Sequence, residues 1–169
     1  MAEVAEAADV SRRTMYQYFP TLDQLLTEAA LEAVRSAVGQ AVEPTEHPED
    51  VEARLDALVR ATQRSTITNE SLMRTMIRLT VERPPDTESE SLPRRGYSRI
   101  EWIEVALQPL RKRLNKPRYE RLVSALALCI GIEALLVLRD IRGLSASQAE
   151  DVSVWAAQSL LQAALEEMS

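Results

Sequence analysis

Little in this chain of 169 residues suits a disulfide scaffold, a histidine-based catalytic centre or a glycine-rich β-fold: it holds one cysteine, one histidine, four glycines and one phenylalanine. Cys129 alone cannot close an internal disulfide, and no charged-then-apolar leader precedes the first structured segment, so the cytoplasm is the expected compartment. His47 lies in an acidic, Pro-containing stretch with no second histidine to recruit. Histidine metal sites, Ser-His-Asp triads and the paired Glu-x-x-His motifs of di-iron bundles are thereby disfavoured. No catalytic residue, metal or cofactor is expected, and the chain does not read as an enzyme. Long apolar runs are also lacking: the most apolar stretch, 122–138, is shorter than the roughly 20 residues of a spanning helix and contains Ser124, Gly131 and Glu133. It reads as a buried helix with no membrane partner.

Positive charge is in deficit too, with a net charge of −6. That argues against a protein that coats DNA, because non-specific binding rests on phosphate neutralisation by Lys and Arg. A local DNA-reading patch remains compatible, since the Debye length of roughly 8 Å at physiological salt screens the distant acidic surface. The abundant residues are Ala, Leu, Glu, Arg and Gln, straight-chain helix formers, so an all-α protein is expected.

Met1, Val4, Ala5 and Ala8 recur at helical spacing, and Asp9-Val10-Ser11 interrupts the stripe. Ser11 suits the N-cap of a second helix, about 12–18, because its hydroxyl accepts from orphan backbone N–H groups. Thr21-Leu22-Asp23-Gln24 reads as a capping box opening a third helix to about Gln40, with Leu22, Leu25, Leu26 and Ala29 on one side. Residues 43–49, with Pro44 and Pro48, read as a linker. The next helix carries Val51, Leu55, Leu58, Val59 and Thr62, and Asn69 is placed to cap another that carries Leu72, Met73, Met76, Ile77 and Thr80. Residues 83–93 read as a polar loop. Ile100, Ile103, Leu107, Leu110 and Leu114 then mark a long helix that Pro109 would kink. Two long helices close the chain, about 117–142 and 147–168. The first is apolar on nearly every side in its second half, and its neighbours in so small a domain can cover only part of it, so a second subunit should cover the rest.

The stretch from Val4 to Leu26 carries the chemistry. A helix, a tight turn and a second capped helix form the arrangement that places the second helix in the major groove. Met15 and Phe19, four residues apart, should face inward with Val10, leaving Arg12, Arg13, Tyr16 and Gln17 outward with Thr14 beside them. Arg forks onto guanine O6 and N7, Gln pairs with adenine, and Tyr and Ser hydroxyls bond phosphate oxygens.

The run Val-Ser-Arg-Arg-Thr-Met-Tyr-Gln-Tyr-Phe at 10–19, followed by a capped helix that reaches Leu25-Leu26, resembles the DNA-binding signature of the tetracycline-repressor (TetR) family. About 23 residues carry the resemblance. It implies an all-helical homodimer with a DNA-binding head over 1–42 and a ligand-binding and dimerisation domain over 48–169, paired through the last two helices. It implies a regulator, a repressor by expectation, that binds palindromic operator DNA and is released by a small-molecule inducer. Carried over, Ser11, Thr14 and Tyr16 would contact phosphates or adjacent bases, and Arg12, Arg13 and Gln17 would read the groove. Two positions depart from the family's pattern. Leu22 stands where a phosphate-binding Lys is frequent, and Asp9 stands where Gly is common, although Asp tolerates left-handed geometry. The family also has a helix ahead of this motif, so the head is read as incomplete and residues are expected to precede Met1 in the natural protein. The competing reading is a helical ligand-binding or interaction module that no longer binds DNA.

Met73, Met76, Ile77, Trp102, Ile103 and Trp155 could line a ligand cavity, and core packing accounts for them equally. Glu133, an acid inside the most apolar helix, must find a structural partner, a ligand or a dimer contact. Cys129 reads as a small buried hydrophobe. Arg94-Arg95 and Arg111-Lys112-Arg113 read as solvated faces.

Overall fold

A computed structural model describes residues 1–42, 49–82 and 98–167. Every regular element among them is helical. The helices are α1 (Ala2–Ala7), α2 (Arg12–Tyr18), α3 (Leu22–Val42), α4 (Val51–Thr68), α5 (Glu70–Glu82), α6 (Ser98–Ala106), α7 (Lys116–Cys129), α8 (Ile132–Leu136) and α9 (Ala146–Glu166). A 3₁₀ turn, Gln108–Leu110, precedes α7, and a π turn, Val137–Ile141, continues α8. The linker with Pro44, His47 and Pro48, the loop expected over 83–93 and Arg94-Arg95 lie outside the described residues.

The caps explain most of the boundaries. Ser11, Asp50, Asn115 and Ser145 each accept from the backbone N–H three residues on, satisfying an orphan donor of α2, α4, α7 and α9. Ser145 and Gln148 form a complete capping box. At Thr21, the hydroxyl accepts from the Gln24 N–H at 3.2 Å, the forward half of the box expected there. Asn69 behaves differently from expectation. It ends α4 instead of capping α5 with its side chain, whose amide donates back to the Ser65 carbonyl at 2.9 Å.

One core runs from α3 to α9. Ala30, Val34 and Val38 of α3 join Leu55 and Leu58 of α4, Ile103 and Leu107 after it, and Leu126, Leu135 and Leu161 of the later helices. Sequence periodicity places Leu22, Leu25, Leu26 and Ala29 on one side of α3; the residues that enter the core are one position on. Leu22 and Ala29 are exposed, while Leu25 and Leu26 are half-buried. Leu25 and Ala29 line a cleft of about 630 Å³ together with Tyr18, Phe19 and Pro20. α3 thus shows one face to the N-terminal helices and another to the body.

Two long helices expected from the sequence are broken. The first ends at Ala106, because Pro109, inside the 3₁₀ turn that Gln108 opens, cannot donate to a continuing ladder. The helix expected over 117–142 stops at Cys129, resumes at Ile132 and bends by 46°. Ile130 is extended and Gly131 takes φ +90°, a region only glycine enters easily. Among the described residues no single helix is long and apolar enough to cross a membrane.

Charged side chains lock the body helices together. Glu150 of α9 accepts from Arg64 at 2.8 Å and from Arg60 at 3.0 Å, and Arg60 also holds Asp56 at 2.9 Å. The Arg64 hydrogen bonds hold the Glu150 carboxyl below its ordinary range despite its burial. Arg74 of α5 forks onto Asp140 of the π turn at 2.6 and 2.7 Å and also pairs with Glu70.

Candidate nucleic-acid interface

The corner between α1 and α2 is built from backbone hydrogen bonds. Asp9 has φ +53°, its N–H donates to the Glu6 carbonyl at 3.1 Å, and the Val10 N–H reaches the Ala5 carbonyl at 2.9 Å. These two bonds around a left-handed residue form a Schellman ending, which stops α1 and turns the chain. Asp occupies the left-handed position, as its tolerance of that geometry allows. Ser11 then starts α2: its Oγ accepts from the Thr14 N–H at 3.0 Å and lies 2.7 Å from the Thr14 hydroxyl.

Below that start, α2 is anchored by Met15, which is buried, and by Phe19, which is half-buried at its end. Ala5 is the buried residue of α1. Val10, expected to point inward with them, is largely exposed, because the left-handed turn leaves it on the outer side of the corner. Arg12, Arg13, Tyr16 and Gln17 are all exposed and Thr14 is half-buried, so the structure gathers the six expected contact residues on one short helix and its cap. The helix holds two arginines and no acidic side chain. Its surface therefore offers two guanidinium forks, an amide, hydroxyls and the positive end of a helix dipole in about two turns.

Tyr18 was missing from the set expected from sequence. It is 73% exposed and one turn beyond Thr14. Four residues from Thr14 is the next turn on the same side, so its hydroxyl extends that surface while its ring lines the cleft with Leu25 and Ala29.

Two short helices, a left-handed corner and a cationic, hydroxyl-bearing arc on the second define a helix-turn-helix DNA-binding segment. Residues 1–29 match the family model described as bacterial regulatory proteins, tetR family, so this segment is similar to the DNA-binding segment of those regulators. No curated protein and no solved structure was found to match the chain.

The residues considered for a ligand cavity separate into two groups. Met73, Met76 and Ile103 are buried, and Ile77 and Trp102 are half-buried, all packed in or against the body core. Glu133 lies half-buried on α8, accepting from Arg99 of α6 at 2.6 Å. Trp155 is apart from them: it is 72% exposed on α9, because Ser153 and Ala157 on either side take the inward positions. Cys129 is half-buried and its burial pushes the thiol upward, which keeps it protonated.

Proposed function

We propose that the protein is a ligand-responsive transcriptional regulator, a repressor, that binds palindromic operator DNA as a homodimer in the cytoplasm. The observation that carries this is the outward arc of α2, where Arg12, Arg13, Tyr16 and Gln17 stand in water above a Met15 anchor. Two such helices set about 34 Å apart would enter successive major grooves. Support for pairing comes from the later helices, which leave Leu128 79% and Ile141 78% exposed, with Val137 and Trp155 also in water. Large apolar side chains left exposed on these helices support a contact surface there. The head at 1–42 reads the operator and the body at 48–169 pairs and senses. A small molecule that fits the body better in one head spacing than the other would shift operator affinity by that difference.

Fragments selected from the source genome supply the operator for an electrophoretic shift. Binding should weaken steeply with salt, and Arg12→Ala should lose most of the shift at fixed protein concentration. A folded protein that retards no selected fragment, or ignores Arg12→Ala, would replace this reading with that of a helical interaction module without DNA binding. Exposed Leu22 at the start of α3, which offers a phosphate no cation, is the feature that keeps that second reading in view.

A further inference from the structure

The bend between α7 and α8 lies in a stretch whose own side chains favour a continuous helix. From Leu126 to Leu136 the weakest helix former is Gly131, and Leu and Ala make up most of the rest. Breaking the ladder leaves carbonyls at the end of α7 and N–H groups at the start of α8 without their partners. Groups from two other helices take over. Gln63 of α4, fully buried, accepts from the Gly131 N–H at 3.1 Å and donates to Ser153 Oγ of α9 at 2.5 Å. Arg99 of α6 donates to the Ala127 carbonyl at 3.1 Å and to Glu133 at 2.6 Å. Its guanidinium carbon lies 2.8 Å from where a Cβ on Gly131 would stand. So the bend is imposed by tertiary contacts on a segment that local preference would straighten.

We infer that α7–α8 is a two-position element. It is bent while Gln63 and Arg99 hold the notch at Gly131, and a single straighter helix when they let go. Two features store the alternative. The π turn over Val137–Ile141 departs from regular α geometry directly after α8, and such turns are rare and concentrate at functional sites. Next to Gln63 in the sequence, the Thr62 hydroxyl is buried without a hydrogen-bond partner, so α4 holds one unsatisfied polar group in this arrangement. Position is transmitted through α4: Gln63 sits on the helix that packs along α3, and α3 follows the DNA-binding helices directly in the chain. This last step rests on the regulatory reading above; the two-position element does not.

Carbon-13 shifts of isoleucine and amide exchange over 130–134 report the element without DNA. In the parent protein Ile130 should show the secondary shift of extended backbone, matching its ψ of 154°. Gly131→Ala excludes the left-handed φ and places a methyl against Arg99, so Ile130 should change to the helical sign and the 132–134 amides should slow by tenfold or more. Gln63→Met keeps the volume and removes both hydrogen bonds; it should show the same change in part, and it decides the matter if Gly131→Ala does not fold. An extended Ile130 shift in every folded variant would overturn the proposal. Operator affinity of the same variants, by fluorescence anisotropy, should move by about tenfold with residues 1–29 untouched. A shift change without an affinity change keeps the element and removes its link to DNA.

Discussion

The first 29 residues and the body that follows are stabilised by different means. In the N-terminal segment two side chains, Ala5 and Met15, are buried, whereas α4 alone buries eight residues. Caps and a Schellman corner hold the first, and a continuous apolar core holds the second. In residues 1–29 as described, most side chains are therefore on the surface and open to contact. The body does the reverse, and its chemistry is correspondingly hard to read.

Large-to-small substitutions test that difference most strongly. Leu107→Ala, at a fully buried position, should destabilise the protein by about 3 kcal/mol and lower Tm by roughly 10 °C. Met15→Ala should cost no more than about 2 kcal/mol, confined to residues 1–29, and leave the main calorimetric transition in place. Equal losses in the main transition would mean that head and body unfold as one unit.

Contact residues should show the opposite profile. Arg12→Ala, Arg13→Ala or Gln17→Ala should each lose about 1–3 kcal/mol of operator binding, roughly fivefold to 150-fold, with stability unchanged within about 0.5 kcal/mol. Titration of labelled operator beside thermal melts separates the two effects. A drop in Tm that tracks the loss of binding would make these side chains structural.

The same contrast governs what was legible in the residues. Ser11, the outward Arg12, Arg13, Tyr16 and Gln17, and the bounds of α2 could be read because capping and a single helical turn are local properties. So could the buried face of α4, where Val51, Leu55, Leu58, Val59 and Thr62 repeat at helical spacing. The break at Gly131 could not, because what opens it is Gln63 from 68 residues away, together with Arg99. Trp155, for which the residues alone allow a cavity wall or core packing, is neither, because which side of α9 faces inward depends on α4 and α7. Val10 turned outward because a left-handed Asp9 redirects the residue after it.

Capping gives a subtler probe. Ser11→Ala removes the acceptor for the Thr14 N–H and should destabilise α2 by about 1 kcal/mol. Because the head has little else to hold it, this should appear as faster amide exchange over 12–18 and a severalfold weaker operator affinity. Ser145→Ala, the equivalent cap on α9, should leave exchange in that helix nearly unchanged, since buried Ala149, Ala157 and Leu161 secure it. Matching responses at the two caps would erase the distinction between the two regions.

Acidification should weaken the Glu150 cluster of the body. The Glu150 carboxyl is held below its ordinary value of 4.5, first by hydrogen bonds from Arg64 and then from Arg60, against the opposing effect of burial. A carboxyl with a depressed folded-state pKa contributes stability that is present above the unfolded value and is lost as pH falls through the folded one. The arginines stay charged throughout, so the loss belongs to the carboxylate. Asp140, lowered by Arg74, adds in the same direction. Tm should therefore hold between about pH 7 and pH 5 and decline below about pH 4. In Glu150→Gln the decline should be shallower, with a lower starting Tm, because an amide cannot satisfy two guanidinium groups and does not titrate. Amide exchange over 1–18 should keep the same pH response in both proteins, since neither α1 nor α2 supplies a partner to this cluster. An acid limb as steep in Glu150→Gln as in the parent would place the titrating group elsewhere.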